Sequence, residues 1–173
     1  MNYFELYELP ISFSPNSALV KNKFYELSKK YHPDRFTLSS AEEANNALEM
    51  AALNNAAYKT FSNKEAIVAY VLKLKEVLQD EEKHSLPPSF LMEIMDLNEA
   101  VSDYEMSQKE ADKIQVINDW VAFMNTLQTK MEQCMQEYDT TQETALLNQI
   151  KDFYFRQKYL LRIRERIDTF AAH

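Results

Sequence analysis

Apolar residues recur along this chain at spacings of three and four, and no segment sustains an apolar–polar alternation of period two. That is the period of an α-helix, so the pattern predicts an all-α fold. Predicted helices cover residues 3–8, 17–31, 41–61, 63–78, 88–104, 108–138 and 141–169. Their starts carry local signals. Ser/Thr-x-x-Glu capping boxes stand at Ser40…Glu43, Ser62…Glu65, Ser107…Glu110 and Thr140…Glu143, where side chains can satisfy the free amides of a first turn. Pro15 and the pair Pro87-Pro88 mark two further starts, since proline suits the first helical turn.

The run Gln79-Asp80-Glu81-Glu82-Lys83-His84-Ser85 is polar and is closed by Pro87-Pro88. It places a domain boundary there, giving one domain over 1–78, a linker over 79–87 and a second domain over 88–173. The second domain reads as a bundle. Ile117, Trp120, Met124, Leu127, Met131, Cys134 and Tyr138 form an unbroken heptad seam, about 32 Å long at ~1.5 Å per residue. Leu146, Ile150, Phe153, Leu160 and Ile167 supply a facing seam, and Phe90, Ile94, Leu97, Val101 and Tyr104 a third. Three antiparallel helices with short turns bury all three stripes.

Composition narrows the function classes. The chain of 173 residues has no glycine, which removes Gly-rich phosphate loops and dinucleotide turns. Its single cysteine, Cys134, excludes an intramolecular disulfide and a cysteine metal cluster, and its place on an apolar stripe predicts a buried thiol. No metal and no cofactor is expected. No apolar run approaches the ~20 residues of a membrane span, and the first residues lack the marks of a leader, so a cytoplasmic protein that does not engage membranes is expected. Residues 1–78 balance 9 Lys/Arg against 9 Asp/Glu, whereas residues 79–173 carry 10 against 18. Such acidity disfavours nucleic acid as a partner; the expected partners are proteins.

The candidate chemistry sits between the second and third predicted helices. The helix over 17–31 turns Val20, Phe24, Leu27 and Tyr31 to one side and carries Lys21, Lys23, Lys29 and Lys30 on the other. Pro33 disfavours helix at His32 and ends it. His32-Pro33-Asp34-Arg35-Phe36 follows as an exposed polar loop. The lysines fit a solvated helix face as well as a docking surface, and the tripeptide alone fits an ordinary turn. An enzyme using His32 and Asp34 as an acid–base pair lacks a nucleophile, a metal cluster or a phosphate loop to work with. The other histidines, His84 and His173, lie in the linker and at the terminus. No catalytic residue is assigned.

In combination these segments are more specific. A basic helix ending in Tyr31-His32-Pro33-Asp34-Arg35-Phe36, then a helix closing with Leu53-Asn54-Asn55-Ala56-Ala57-Tyr58-Lys59-Thr60-Phe61, strongly resembles a J domain, as does the opening Tyr3-Phe4-Glu5-Leu6-Tyr7-Glu8-Leu9-Pro10. Phe90-Leu91-Met92-Glu93-Ile94-Met95-Asp96-Leu97-Asn98-Glu99 and the acidic run beyond it resemble the C-terminal domain of the HscB branch of J proteins. The resemblance implies a J domain, built as a helical hairpin with two short flanking helices, followed by a three-helix bundle. It implies a co-chaperone rather than an enzyme, with two protein partners: the DnaK-type ATPase HscA and the iron–sulfur scaffold protein IscU. By the same resemblance Lys21, Lys29, Lys30, His32, Pro33, Asp34 and Arg35 meet the chaperone, Asp34 pairing with a cation on it.

Steps of 100° per residue put Leu91, Met92 and Met95 off the bundle-facing stripe, beside Asp96, Glu99 and Asp103. This is the makeup of a protein-binding patch; a broad buried face is the alternative. The resemblance makes these six residues, with Phe155 on the last helix, the scaffold-binding surface. The chain departs from the family in having Lys64 and Ile67-Val68 where a Pro and an Arg-Ala pair are common. The remaining alternatives are a general J-domain co-chaperone or a helical adaptor with another client.

Overall fold

Side chains spaced at three and four residues do fold as helices. The computed structural model describes residues 1–171, over which eight α-helices and one 3₁₀ turn form. No strand occurs among the described residues. The last two positions of the expected 88–173 domain, His173 included, lie outside them. The chain divides into two units, Met1–Glu76 and the chain from Val77 onward.

The first unit comprises α1 (Tyr3–Leu6), α2 (Ser17–Lys30), the 3₁₀ turn (Pro33–Phe36), α3 (Ala41–Phe61) and α4 (Lys64–Leu74). α2 and α3 pack as a hairpin, with α1 and α4 against α3. Ala47 and Ala57 of α3 are buried, as are Val20 and Leu27 of α2. An aromatic cluster closes one end. Tyr3 stacks on Tyr70 at 4.5 Å, and the rings of Phe4 and Tyr7 lie 4.9 and 5.3 Å from Phe61.

One polar side chain is buried in this core. Asn54 is 1% exposed. Tyr7 donates its hydroxyl to Asn54 Oδ1 at 2.8 Å, while Asn54 Nδ2 donates to the Phe24 carbonyl at 3.1 Å and to Ser28 Oγ at 3.0 Å. The amide thus joins α1, α2 and α3, and burial pushes the Tyr7 phenol above its usual range.

In the second unit α5 (Pro88–Glu93) and α6 (Met95–Ser107) precede the long α7 (Glu110–Thr141) and α8 (Thr144–Ala171). The sequence pattern predicts one helix over 88–104; the structure breaks it at Ile94, with φ −96° and ψ 5°. Hydrogen bonds continue on both sides, from Ile94 N to the Phe90 carbonyl and from Asn98 N to the Ile94 carbonyl. The break is therefore a kink around a fully buried side chain, and α5–α6 acts as the first of three bundle helices. All five residues of its predicted stripe are buried, as are Met124, Leu127, Met131 and Tyr138 of α7 and Leu146, Ile150, Leu160 and Ile167 of α8. Each fully buried apolar side chain contributes roughly 1.5–3 kcal/mol. Trp120 donates its indole N–H to the Leu160 carbonyl at 2.6 Å, which ties α7 to α8.

Several local expectations are corrected. Only the Ser40…Glu43 capping box forms as expected, and a second, Asn2…Glu5, escaped notice because its cap is an asparagine. At the start of α4 the cap is Asn63, whose side chain accepts from Ala66 N, and not Ser62. Ser107 is the last residue of α6, and its hydroxyl donates to Asp112. Thr140 is still inside α7, which ends with Gln142 in the left-handed region. α4 stops at Leu74 because Glu76 turns left-handed at φ 59°. With no glycine available, Glu8, Glu76, Glu81, Gln108 and Gln142 adopt that conformation, at a cost of roughly 1–2 kcal/mol each. The Gln108 and Gln142 amides recover part of it by closing on the Tyr104 and Tyr138 carbonyls, both at 2.8 Å. Cys134 is half-buried, its thiol near Gln149 Oε1 at 3.7 Å, and burial pushes its pKa up.

Replacing Asn54 by Leu removes three buried side-chain bonds, leaving Tyr7 only the main-chain carbonyl of residue 54 at 3.2 Å and the Phe24 carbonyl only the Ser28 hydroxyl at 2.7 Å. We expect a loss of about 1–3 kcal/mol in the first unit, the cost of disrupting a buried polar partner. Amide exchange in the full chain reads this directly: α2 and α3 should lose protection while α7 and α8 keep theirs.

Candidate functional site

The loop between α2 and α3 is a short, locally bonded turn. Pro33 occupies its first helical position, and the preceding His32 caps it, Nδ1 accepting from the Asp34 amide at 3.3 Å. Arg35 N donates to the His32 carbonyl at 3.0 Å. Arg35 Nη1 donates back to the Lys29 carbonyl at 3.3 Å, tying the turn to the end of α2. The Asp34 carboxylate is left outside this network, 86% exposed and 3.6 Å from His32 Nδ1. The turn offers one exposed carboxylate on a braced frame.

Of the expected chaperone-facing residues, Lys29, Lys30, His32, Pro33, Asp34 and Arg35 are brought together at the C-terminal end of α2, while Lys21 lies about two turns nearer its start. Lys21, Lys29, Lys30 and Arg35 are exposed, with His32, Pro33 and Asp34 beside them. Lys23 differs: it bonds Glu8 at 2.5 Å and Glu26 at 3.3 Å, so it is occupied within the fold. That bond holds the Glu8 carboxyl below the usual range. An open hollow of about 340 Å³ lies beside the turn, lined by Tyr25, Ser28, Lys29, His32 and Arg35. Tyr25 was missed from sequence. It lies one position beyond Phe24, off the apolar stripe, and such an exposed aromatic next to a basic face is the signal that could have found it.

In the second unit, Leu91, Met92 and Met95 are 43%, 71% and 58% exposed. The broad buried face is therefore excluded. Asp96, Glu99 and Asp103 are exposed on the same helix, so apolar side chains and carboxylates share the outer side of α5–α6. Phe155 has a different setting. It is half-buried, stacked on the His84 ring at 4.5 Å and nearly parallel. One turn on, Tyr159 meets the Phe90 ring at 6.2 Å and accepts from Asn98 Nδ2 at 3.4 Å. Phe155 thus adjoins α5–α6 through Tyr159 while being covered by the segment around His84.

That segment, read from sequence as a linker over 79–87, lies within the second unit. Leu78 is buried, Glu82 pairs with Lys151, Lys151 Nζ donates to the Val77 carbonyl at 2.9 Å, and His84 Nε2 lies 3.2 Å from Asp152 Oδ1. The polar residues that look like a linker are bonding groups laid along α8. Their partners are some 70 positions away, beyond any local reading.

Among the described residues no group of His, Cys, Asp and Glu could hold a metal ion, and no helix is long and apolar enough to cross a membrane.

Comparison with known proteins bears on both units. Residues 86–168 match the family model described as the HSCB C-terminal oligomerisation domain. A co-chaperone protein HscB homologue of Vibrio cholerae is 39% identical over 100 residues, which span 57% of this chain and 58% of that protein. The homologue of Vibrio atlanticus is 28% identical, the match covering 97% of this chain and 95% of its own. The solved structure of chaperone HscB from Vibrio cholerae aligns with a TM-score of 0.75 at 26% identity, over 97% of this chain and 96% of that one. Human co-chaperone HscB shares the fold, with a TM-score of 0.73 at 23% identity over 98% and 81% of the two chains.

A braced His-Pro-Asp turn at the tip of a helical hairpin, joined to a separate helical bundle, is the layout that the resemblance to J-domain proteins implies. The bundle's match and the end-to-end structural likeness point to one branch: over nearly its whole length the chain is similar to the HscB proteins.

The strap over α8 is held in part by a titrating group. Hydrogen bonds from Lys151 and from the Gln79 amide hold the Glu82 carboxyl below the ordinary glutamate value. A carboxyl lowered on folding stabilises the fold above its unfolded pKa, and that contribution disappears as pH falls through the lowered value. Amide exchange over 78–86, corrected for intrinsic rates, should therefore rise relative to α7 between pH 5 and pH 3. Glu82→Gln should show the same rise at pH 7.

Proposed function

We propose that this protein stimulates the ATPase of a DnaK-type chaperone of the HscA kind and delivers to it an IscU-type iron–sulfur scaffold protein. The observation that carries this reading is the Asp34 carboxylate, 86% exposed on a turn braced by bonds at His32 and Arg35. With only the His32 ring near it, at 3.6 Å, the carboxylate keeps most of its pairing capacity for a cation on the ATPase. The bonds at His32 and Arg35 fix the turn, so little ordering entropy is lost on docking. Lys21, Lys29 and Lys30 meet an acidic surface and speed encounter more than they strengthen it.

The second unit carries the client. Leu91, Met92 and Met95 supply apolar contact, Asp96, Glu99 and Asp103 a polar rim, and Phe155 joins the surface from α8. The protein does no chemistry of its own, needs no resident cofactor and acts in the cytoplasm. Its partners are proteins, not nucleic acid or membrane. A second reading follows from the matched family being an oligomerisation domain: the Leu91/Met92/Met95 surface meets another copy of this chain. Sedimentation of the protein alone separates the two, because client binding requires that surface to be free in the monomer.

Asp34→Asn keeps the shape of the turn and removes its charge. ATPase stimulation should fall at least about tenfold, a loss of about 1.4 kcal/mol or more, with scaffold affinity unchanged by calorimetry. Full stimulation by this variant would falsify the mechanism. Conversely, Leu91→Ala with Met95→Ala should weaken scaffold binding at least about fivefold, helicity and ATPase stimulation remaining as in the wild type. Unaltered affinity removes the patch from the interface.

A further inference from the structure

Charge in the second unit is segregated. α8 carries six Lys/Arg and three Asp/Glu, while the rest of the chain from residue 77 onward carries four against fifteen. Four of the six cations on α8 are engaged: Lys151 with Glu82, Arg156 with Asp152, Arg164 with Asp168 and Arg166 with Glu105. Lys158 and Arg162 have no carboxylate partner among the described residues. Lys158 Nζ lies only over the Tyr154 ring, at 5.0 Å.

Both line one cleft of about 270 Å³. Phe155, Lys158, Tyr159 and Arg162 fall at i, i+3, i+4 and i+7, which puts them on one face of α8. The strap supplies the opposite wall with Lys83, His84 and Leu86. Lys83 is exposed and likewise lacks an ion pair, and the Glu82 carboxylate at the cleft is already taken up by Lys151. Three unneutralised cations thus surround two aromatic rings.

We infer that this cleft receives a short acidic segment of the client protein, its carboxylates meeting Lys83, Lys158 and Arg162 and an apolar side chain lying against Phe155 and Tyr159. The inference rests on the client-binding role proposed above for the second unit. Charge complementarity selects the occupant. A nucleic acid would match the rings and cations locally, but its continuous charge would run into the fifteen carboxylates outside α8. A short acidic segment avoids them. The cleft also continues the patch, since Tyr159 touches Phe90 and Asn98. A client seated on α5–α6 would therefore meet carboxylates at Asp96, Glu99 and Asp103 and cations in the cleft. Opposite charges at two places fix which way round it binds.

The test is calorimetry of the full chain with the purified IscU-type scaffold, comparing wild type with Lys158→Glu/Arg162→Glu. Reversal should weaken binding at least about tenfold at low salt and less at high salt. Lys158→Arg/Arg162→Lys should retain affinity. Helicity, Trp120 emission and ATPase stimulation without scaffold should not change. Wild-type binding with undiminished affinity in the reversed variant overturns the cleft and leaves the Leu91/Met95 patch standing. No scaffold binding by the wild type overturns the client reading and the cleft with it. A single-stranded oligonucleotide that binds the wild type and not the reversed variant, with scaffold affinity unmoved, overturns the acidic-segment assignment.

Discussion

The first unit turns on the amide of Asn54. Its oxygen accepts from Tyr7, and its nitrogen donates to a main-chain carbonyl and to a hydroxyl on α2. Buried polar groups tolerate no slippage, because each lost partner costs about 1–3 kcal/mol. Apolar contacts between α2 and α3 would accept small shifts; this set of bonds accepts one register. The His32-Pro33-Asp34 turn hangs between those two helices, so its position follows from that register. A side chain in the core thereby decides where an exposed carboxylate stands.

Exposure in this protein divides into what the fold uses and what it leaves over. Lys23 is drawn into bonds with Glu8 and Glu26, and Arg166 into a two-pronged contact with Glu105. Lys158 and Arg162 are not drawn into ion pairs, Asp34 stays 86% exposed with only the His32 ring near it, and Leu91, Met92 and Met95 remain exposed. Sequence spacing alone treats these groups alike. Only the packed structure distinguishes a charge already neutralised from one still able to act, and that distinction carries the functional argument.

Helix positions, the three bundle seams and the exposed patch were legible because each rests on a short-range period. The residues of α3 came out within the expected bounds, and the stripe Phe90, Ile94, Leu97, Val101 and Tyr104 is buried as its spacing requires. Helix ends were less legible. Three of the four Ser/Thr-x-x-Glu matches do not cap, because the neighbouring helix ran on through the serine or threonine, or an adjacent asparagine served better. The strap was illegible. A run such as Gln79-Asp80-Glu81-Glu82 has the composition of a linker, and its bonds to Lys151 and Asp152 depend on contacts between distant positions. Asn54 could be quoted as part of a resemblance, yet nothing local marks it as the one buried polar side chain among its neighbours.

The two units need not communicate through a conformational change for their roles to be coupled. Covalent linkage alone gives each bound partner an effective concentration near the other of about a millimolar. On the function proposed, a chaperone docked by the basic helix of the first unit would therefore meet a client held by the second far more often than one free in solution. The charge layout adds what tethering cannot, which is orientation. Residues 1–78 are neutral overall with four of their eight lysines on α2, while the second unit is acidic except along α8. On the proposed roles, a client with carboxylates toward α8 and cations toward α6 would be held one way round.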